Sequence, residues 1–242
     1  MNSKFFSLVL LLFLFALPFS SFSQMFSVGD DRTAASNPFA PYLRAGISTV
    51  DFEYMGESNE LIQQATLSFS GIVANFAYES NGFNIGGGLG GNITGLNDRR
   101  YYNLYLNFVN PFYLVTGQNF GIGIPVKLGT EVTSVRSDMI RDGFSQTNVG
   151  GGAGLVFSAR SPQSFSIKTQ FIPEIGFSTA RGGFFGGRVL SLNGTARINF
   201  YNLLFGKNLS LGYDYNFDTY DIDGEEFDYD FSAHTLTIGI SF

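Results

Sequence analysis

Chemistry in this chain has few places to sit. His234 is the sole histidine in 242 residues, and there is no cysteine. That excludes zinc sites of the His/Cys type, catalytic thiols and a disulfide framework. Any histidine-dependent hydrolysis would have to use His234, with a base or hydroxyl partner within hydrogen-bond reach. His234 alternates in phase with Leu236, Ile238 and Phe242. A strand at this point sends the imidazole to the apolar side, away from the acidic residues of the neighbouring segments. The expected role is that of a polar residue at the margin of an apolar face.

The second concentration of chemistry is acidic. Asp214 to Asp230 carries eight acidic residues and no lysine or arginine. Within it, Asp221-x-Asp223-Gly224 followed by Asp230 has part of the spacing of a Ca²⁺ loop, whose hard oxygen ligands suit that cation. Thr219 stands where the first ligand should be, Glu226 replaces an apolar residue, and no flanking helices are expected. Asp221, Asp223 and Asp230 are therefore a weak Ca²⁺ candidate in what reads as a solvated acidic loop. No cofactor is expected.

The remaining charges are scattered singly, and the elements that carry them explain why. Period-2 alternation runs along most of the chain. Phe120, Ile122, Ile124, Val126 and Leu128 alternate with Gly121, Gly123, Pro125, Lys127 and Gly129. Phe165, Ile167, Phe171, Ile175 and Phe177 oppose Ser166, Lys168, Gln170 and Glu174. Leu190, Leu192, Ala196, Ile198 and Phe200 oppose Thr195 and Arg197, and Leu209, Leu211, Tyr213, Tyr215 and Phe217 oppose Asp214. Further strands are expected over 83–93, 101–108, 149–157 and 235–242, with two less regular ones at about 42–53 and 62–79. In the 62–79 strand, Leu67 and Phe69 give way to Ile72, Phe76 and Tyr78, which predicts a β-bulge near Ser70-Gly71. Ten strands result, with no helix among them. Pro125 and Pro173 each delete a ladder donor; if either breaks its strand, the count falls to eight.

Composition agrees with an all-β chain. Aromatic residues make up 17% and charged residues 14%, against roughly 25% charged in an ordinary soluble domain. Intrinsic disorder and an Ala/Leu/Glu/Lys-rich helical bundle are both excluded. The formal net charge of −6 makes a nucleic-acid partner unexpected.

The amino terminus reads as an export signal. Lys4 precedes the apolar run Phe5 to Leu17, and Pro18 ends it. The run is far short of the roughly 20 residues that span a bilayer and matches a signal-peptide core. Ser21-Phe22-Ser23 places small residues before a cleavage point ahead of Gln24. The expected organisation is a cleaved signal peptide over 1–23, a periplasmic tail over 24–38 and a barrel over 39–242.

The connections fall into two sets. Residues 79–82, 110–119, 161–164 and 201–207 form one, and the more charged stretches 55–60, 95–100, 136–147, 180–187 and 220–230 form the other. Even strand number, with compact turns at one end and polar loops at the other, is the pattern of an outer-membrane barrel. Bulky apolar side chains then meet lipid. Glycines at 86, 88, 90, 121, 123, 150, 152 and 154, the inward Tyr101 and Tyr105, and the charges Lys127, Glu131, Arg160, Lys168, Glu174, Arg197 and Asp214 face the lumen. Glycine there either relieves crowding or leaves room for solutes, and ten strands favour the former.

Thr235-Leu236-Thr237-Ile238-Gly239-Ile240-Ser241-Phe242 alternates and ends on an aromatic carboxylate. It resembles the C-terminal assembly signal of Gram-negative outer-membrane β-barrel proteins, carried here by Leu236, Ile238, Ile240 and Phe242. Over the whole mature chain the sequence is similar to the small barrels of the OmpA-like and PorT-like families. The resemblance implies a single antiparallel up-and-down transmembrane barrel in the outer membrane, termini in the periplasm and five loops outside. It implies barrel-assembly machinery and periplasmic chaperones as partners during biogenesis, outer-membrane lipid and lipopolysaccharide around the wall, and a monomer. These families host many functions on one scaffold. The expected role is non-enzymatic: structural, adhesive or a narrow, porin-like pore at the cell surface. The alternatives are an accessory barrel of a secretion or surface-assembly system and, least favoured, a barrel-embedded lipid- or peptide-hydrolysing enzyme.

Overall fold

A computed structural model describes residues 40–55, 68–96, 98–137, 144–161, 163–180, 186–222 and 228–242. The expected signal peptide and periplasmic tail, Leu67 and Asp223 lie outside the described residues. The described chain forms β1 (Tyr42–Tyr54), β2 (Phe69–Ser80), β3 (Phe83–Gly90), β4 (Arg99–Thr116) and β5 (Phe120–Ser137). It continues with β6 (Phe144–Ala153 and Leu155–Ser161), β7 (Phe165–Ala180), β8 (Gly187–Leu204), β9 (Lys207–Ile222) and β10 (Tyr229–Ser241). Each strand pairs antiparallel with its sequence neighbours, and β1 pairs with both β2 and β10. The sheet therefore closes. Closure leaves no open edge, which lipid would penalise because no water is present to pair exposed backbone groups.

Strand count is ten. The two pieces of β6 are one strand: on β5, Val126 faces Ala153 and Gly123 faces Val156, with no change of register across Gly154. On β7, Gly152 faces Glu174 and Leu155 faces Phe171 in the same way. Pro125 and Pro173 flank this interruption, and each lacks an N–H to give β6. The Gly154 N–H still donates to the Pro125 carbonyl at 3.1 Å. Neither proline breaks its strand, so the eight-strand alternative falls away.

Three local expectations are corrected. The β1–β2 register runs without a shift from Tyr42 opposite Glu79 to Phe52 opposite Phe69, so there is no bulge at Ser70-Gly71. Phe69 simply points inward, while Ile72 and Phe76 point outward at 50% and 60% exposure. Strands also extend into several expected loops: β4 runs to Thr116, β5 to Ser137, β8 to Leu204 and β9 to Ile222. The irregularities fall there instead, between Tyr113 and Val115 and between Lys207 and Leu209. Finally, one 3₁₀ turn, Asn92–Thr94, interrupts the β3–β4 connection.

The termini of the barrel and the four tight connections lie at one end. At the β8–β9 connection φ is positive at Asn202 near the end of β8 and at Phe205 and Gly206 in the turn. The longer connections lie at the other end. By the rule for such barrels the short-turn end is periplasmic and the loop end extracellular. Among the described residues no helix is long and apolar enough to cross a membrane; strands make the crossing. Every strand projects large apolar side chains outward. Leu43, Leu89, Leu104, Leu128, Val149, Phe177, Leu190, Leu211 and Ile238 are each more than about two-fifths exposed. A soluble domain would not leave so continuous an apolar surface uncovered.

Candidate functional site

The buried polar side chains are gathered inside the barrel, in layers. The layer nearest the loop end is dominated by aromatic and aliphatic side chains. Phe52 from β1 stacks on Tyr229 from β10 at 4.4 Å and 11°, and Phe144 from β6 meets both edge-on at 4.9 Å. Tyr220 meets Phe144 at 5.3 Å, and Tyr101 lies parallel to Phe231 at 6.1 Å. Val50, Val73, Val135, Val189 and Ile222 fill between them, all 2% exposed or less. Offset and edge-on ring pairs of this kind add about 0.5–1.5 kcal/mol each beyond area burial. Sequence alternation placed Tyr101 inward. It gave no reason to expect that the loop end of the lumen is plugged by apolar rings.

Below the plug lies a layer of bonded carboxylates. Glu131 accepts from the Asn103 amide and, at 3.3 Å, from the Thr133 hydroxyl. Asp218 accepts from the Asn216 amide at 2.7 Å and is buried. Lys127 Nζ reaches Glu174 Oε1 at 2.6 Å, and the Asn193 amide donates to the same oxygen at 2.5 Å.

The next layer is an ion-pair chain across the lumen. Glu79 Oε2 accepts from Arg197 Nε at 3.0 Å and lies 2.7 Å from Arg44 Nε, an ion pair without hydrogen-bond alignment. The second face of Arg197 donates from Nη2 to Asp214 Oδ1 at 2.7 Å. Lys168 stands opposite Arg197 in register. Arg44, Glu79, Arg197 and Asp214 pair with one another, and Lys127 pairs with Glu174; without such partners their desolvation would be prohibitive. A cavity of about 150 Å³ runs between these layers, lined among others by Arg44, Glu79, Tyr105, Glu131, Arg197 and Asp214.

Lys127, Glu131, Lys168, Glu174, Arg197 and Asp214 thus all face the lumen. Arg160 has the same strand phase but stands exposed at the periplasmic rim. Arg44 and Glu79 escaped the sequence reading because one opens an irregular strand and the other was assigned to a turn. Counting inward residues by twos from Val73 through Asn75 and Ala77 reaches Glu79 and is the signal that finds it. The glycines of β3 sit beneath the inward tyrosines: a side chain at Gly86 would meet the Tyr105 hydroxyl, and one at Gly90 the Tyr101 Cβ at 3.2 Å. Their space is taken by rings, as relief of crowding requires.

Two candidates are not brought into any such constellation. His234 points outward, exposed, with Nδ1 2.8 Å from the Tyr213 hydroxyl and the Tyr215 ring centroid 5.0 Å away. Asp221 turns to Arg188 at 3.4 Å. Among the described residues no three His, Cys, Asp or Glu side chains converge in a manner that could hold a metal ion. Leu236, Ile238, Ile240 and Phe242 all project outward, and the Phe242 ring lies 5.9 Å from Tyr78.

A closed antiparallel barrel, apolar outside and charge-paired within, defines an integral membrane β-barrel of the outer-membrane kind. No protein-family model matches the chain, and no curated protein matches it. Among solved structures, the outer membrane protease OmpT from Escherichia coli aligns with 11% identity and a TM-score of 0.41, over 87% of this chain and 99% of that one. Ail, the attachment invasion locus protein of Yersinia pestis, aligns with 12% identity and a TM-score of 0.26, over 84% and 99%. The translocator domain of the autotransporter NalP from Neisseria meningitidis aligns with 7% identity and a TM-score of 0.32, over 84% and 89%.

Proposed function

We propose that this barrel is a non-conducting, non-enzymatic anchor of the outer membrane, with a structural or adhesive role carried by its outer loops. The observation that carries the reading is the aromatic plug. Phe52, Phe144 and Tyr229 pack within 4.9 Å of one another across the lumen. Rings packed this closely across the lumen support a reading in which that level carries no aqueous path. The outward position of His234 also supports a non-enzymatic role, because its ring nitrogen is engaged by a tyrosine hydroxyl with no carboxylate to orient it.

The test is conductance in planar bilayers. The wild-type protein is expected to insert without opening channels. Phe52→Ala combined with Tyr229→Ala removes the two stacked rings and is expected to open small, steady channels. Channels of steady conductance from the wild-type protein would return the narrow-pore role to first place.

A further inference from the structure

Below the carboxylate layer, one row of inward residues runs across four strands. Lys168 on β7 stands opposite Arg197 on β8, Arg197 opposite Gly212 on β9, and Gly212 opposite Thr237 on β10. Two residues further along β10, Gly239 stands opposite Arg44 on β1. The two glycines lay the wall bare here. A side chain at Gly239 would meet Arg44 Nη1 at 3.2 Å. One at Gly212 would meet Arg44 Nη1 at 3.2 Å, Arg197 Nη1 at 3.1 Å and, closer still, the Thr237 hydroxyl. Donors from β1, β8 and β10 therefore converge on one small patch of backbone.

Two of these donors are not used by the ion-pair chain. Arg44 turns Nε toward Glu79, but its Nη1 has no hydrogen-bond partner among the described residues, and neither has Thr237 Oγ1. Arg44 and Thr237 are buried, at 4% and 8% exposure, and both line the cavity. An orphaned buried donor is costly, most of all on a charged group. Arg197 Nη1, by contrast, donates to the carbonyls of Ala196 and Tyr213. The local charge is also out of balance. Arg44, Arg197 and Lys168 are three cations, met by the two carboxylates Glu79 and Asp214. Glu131 and Asp218 belong to the layer above and are bonded there by Asn103, Thr133 and Asn216.

We infer that this patch binds one small monovalent anion of halide size, held by Arg44 Nη1 and the Thr237 hydroxyl over Gly212, with Arg197 and Lys168 supplying the balancing charge. Both holding contacts are donors, and a hydrogen bond to an ionised partner is the stronger kind. One surplus positive charge calls for one negative charge. Water would satisfy the two orphaned donors but would leave that surplus buried. A cavity of about 150 Å³ takes an ion with its remaining water and is too small for a nucleotide or an oligosaccharide. The site lies below the aromatic plug and stands whether or not the plug blocks conduction.

The experiment uses the mature chain refolded into phosphatidylcholine vesicles, with bromide as the probe. Heat-modifiable gel migration first confirms the folded barrel, so failure to fold is scored separately from failure to bind. Urea unfolding is then measured as bromide replaces gluconate at constant ionic strength. A ligand bound only by the folded state stabilises it by mass action. Once bromide exceeds its dissociation constant, each tenfold rise is expected to lower the unfolding equilibrium constant about tenfold. Thr237→Val keeps the shape, removes the hydroxyl and is expected to weaken bromide binding at least about tenfold. Lys168→Gln removes the surplus charge and is expected to abolish the bromide dependence. Lys207→Gln, in the β8–β9 turn, is expected to keep it. If Thr237→Val does not fold, Lys168→Gln decides alone. Crystals grown in bromide are expected to show anomalous density beside Arg44 Nη1. No bromide dependence in the wild type, an unchanged dependence in Thr237→Val or Lys168→Gln, an equal loss in Lys207→Gln, or lumen density away from Arg44 would overturn the site.

Discussion

Arg197 Nε donates to Glu79 Oε2 at 3.0 Å, although the two residues are 118 positions apart in the chain. One projects from β8 and the other from β2, four strands away around a ten-stranded wall. The contact is a strut across the lumen, and Arg44 and Asp214 extend it at either end.

Removing the centre of that strut is expected to be costly. Glu79→Gln leaves Arg44 and Arg197 facing each other, both nearly inaccessible to solvent. Breaking a buried pair by deleting one partner costs about 3–5 kcal/mol. Urea unfolding of the barrel in lipid vesicles is expected to show a loss of this size. A loss under about 1 kcal/mol, the range of solvent-exposed pairs, would mean that the lumen is wet enough to screen the strut.

The orientation of the wall makes a second prediction. Ile238 is 60% exposed on the outer face. Ile238→Arg is expected to cost about 2–4 kcal/mol if the site lies near the bilayer midplane. Thr195 faces the lumen opposite Asp214 and Gln170. Thr195→Arg should therefore be tolerated better, since Asp214 offers its new charge a partner. Refolding yields in lipid compare the two, and a larger penalty for the lumen substitution would turn the barrel inside out.

What could be read in advance and what could not separates along physical lines. The outward set was legible because side chains alternate strictly with period 2 and lipid demands one chemistry of every strand. Ile122, Phe171 and Leu211 needed no partner to be placed. The plug was not legible, because Phe52, Phe144 and Tyr229 are apolar residues that face inward, against the rule of a polar lumen. Phe69 misled for the same reason: two aromatics on one strand, Phe69 and Phe76, serve opposite faces, and hydropathy alone reads that as a slipped phase. The partners of Glu79 were out of reach for another reason. Strand phase sends a carboxylate inward, but only closure and register bring it to an arginine on the far wall.

The carboxyl-terminal signal gives the third prediction. Phe242 follows β10, projects outward at 59% exposure and leaves its ring near Tyr78 on β2. It contributes no lumen contact, so its removal should spare the stability of the finished barrel. Phe242→Ser is expected to lower the amount of assembled protein in the membrane and raise the unfolded periplasmic pool. Fractionation with heat-modifiable migration measures both. Normal assembled levels would show that Leu236, Ile238 and Ile240 are sufficient for recognition.

His234 gives the last prediction, and it bears on whether the barrel does chemistry. The imidazole sits on the outer face with Tyr213 and Tyr215, in the same register row as Thr49. Asp214 and Glu131, the acids that would orient a catalytic base, face the lumen on the other side of the wall. A strand cannot turn one residue to the opposite face without shifting every neighbour. His234→Ala therefore removes a hydrogen bond between exposed groups, worth about 1 kcal/mol or less. Assembly, and any hydrolysis of lipid or peptide substrates by the purified barrel, are expected to be unchanged in this variant. Hydrolysis by the wild type that disappears in His234→Ala, with folding intact, would place a reactive site on the outer face and make the protein an enzyme.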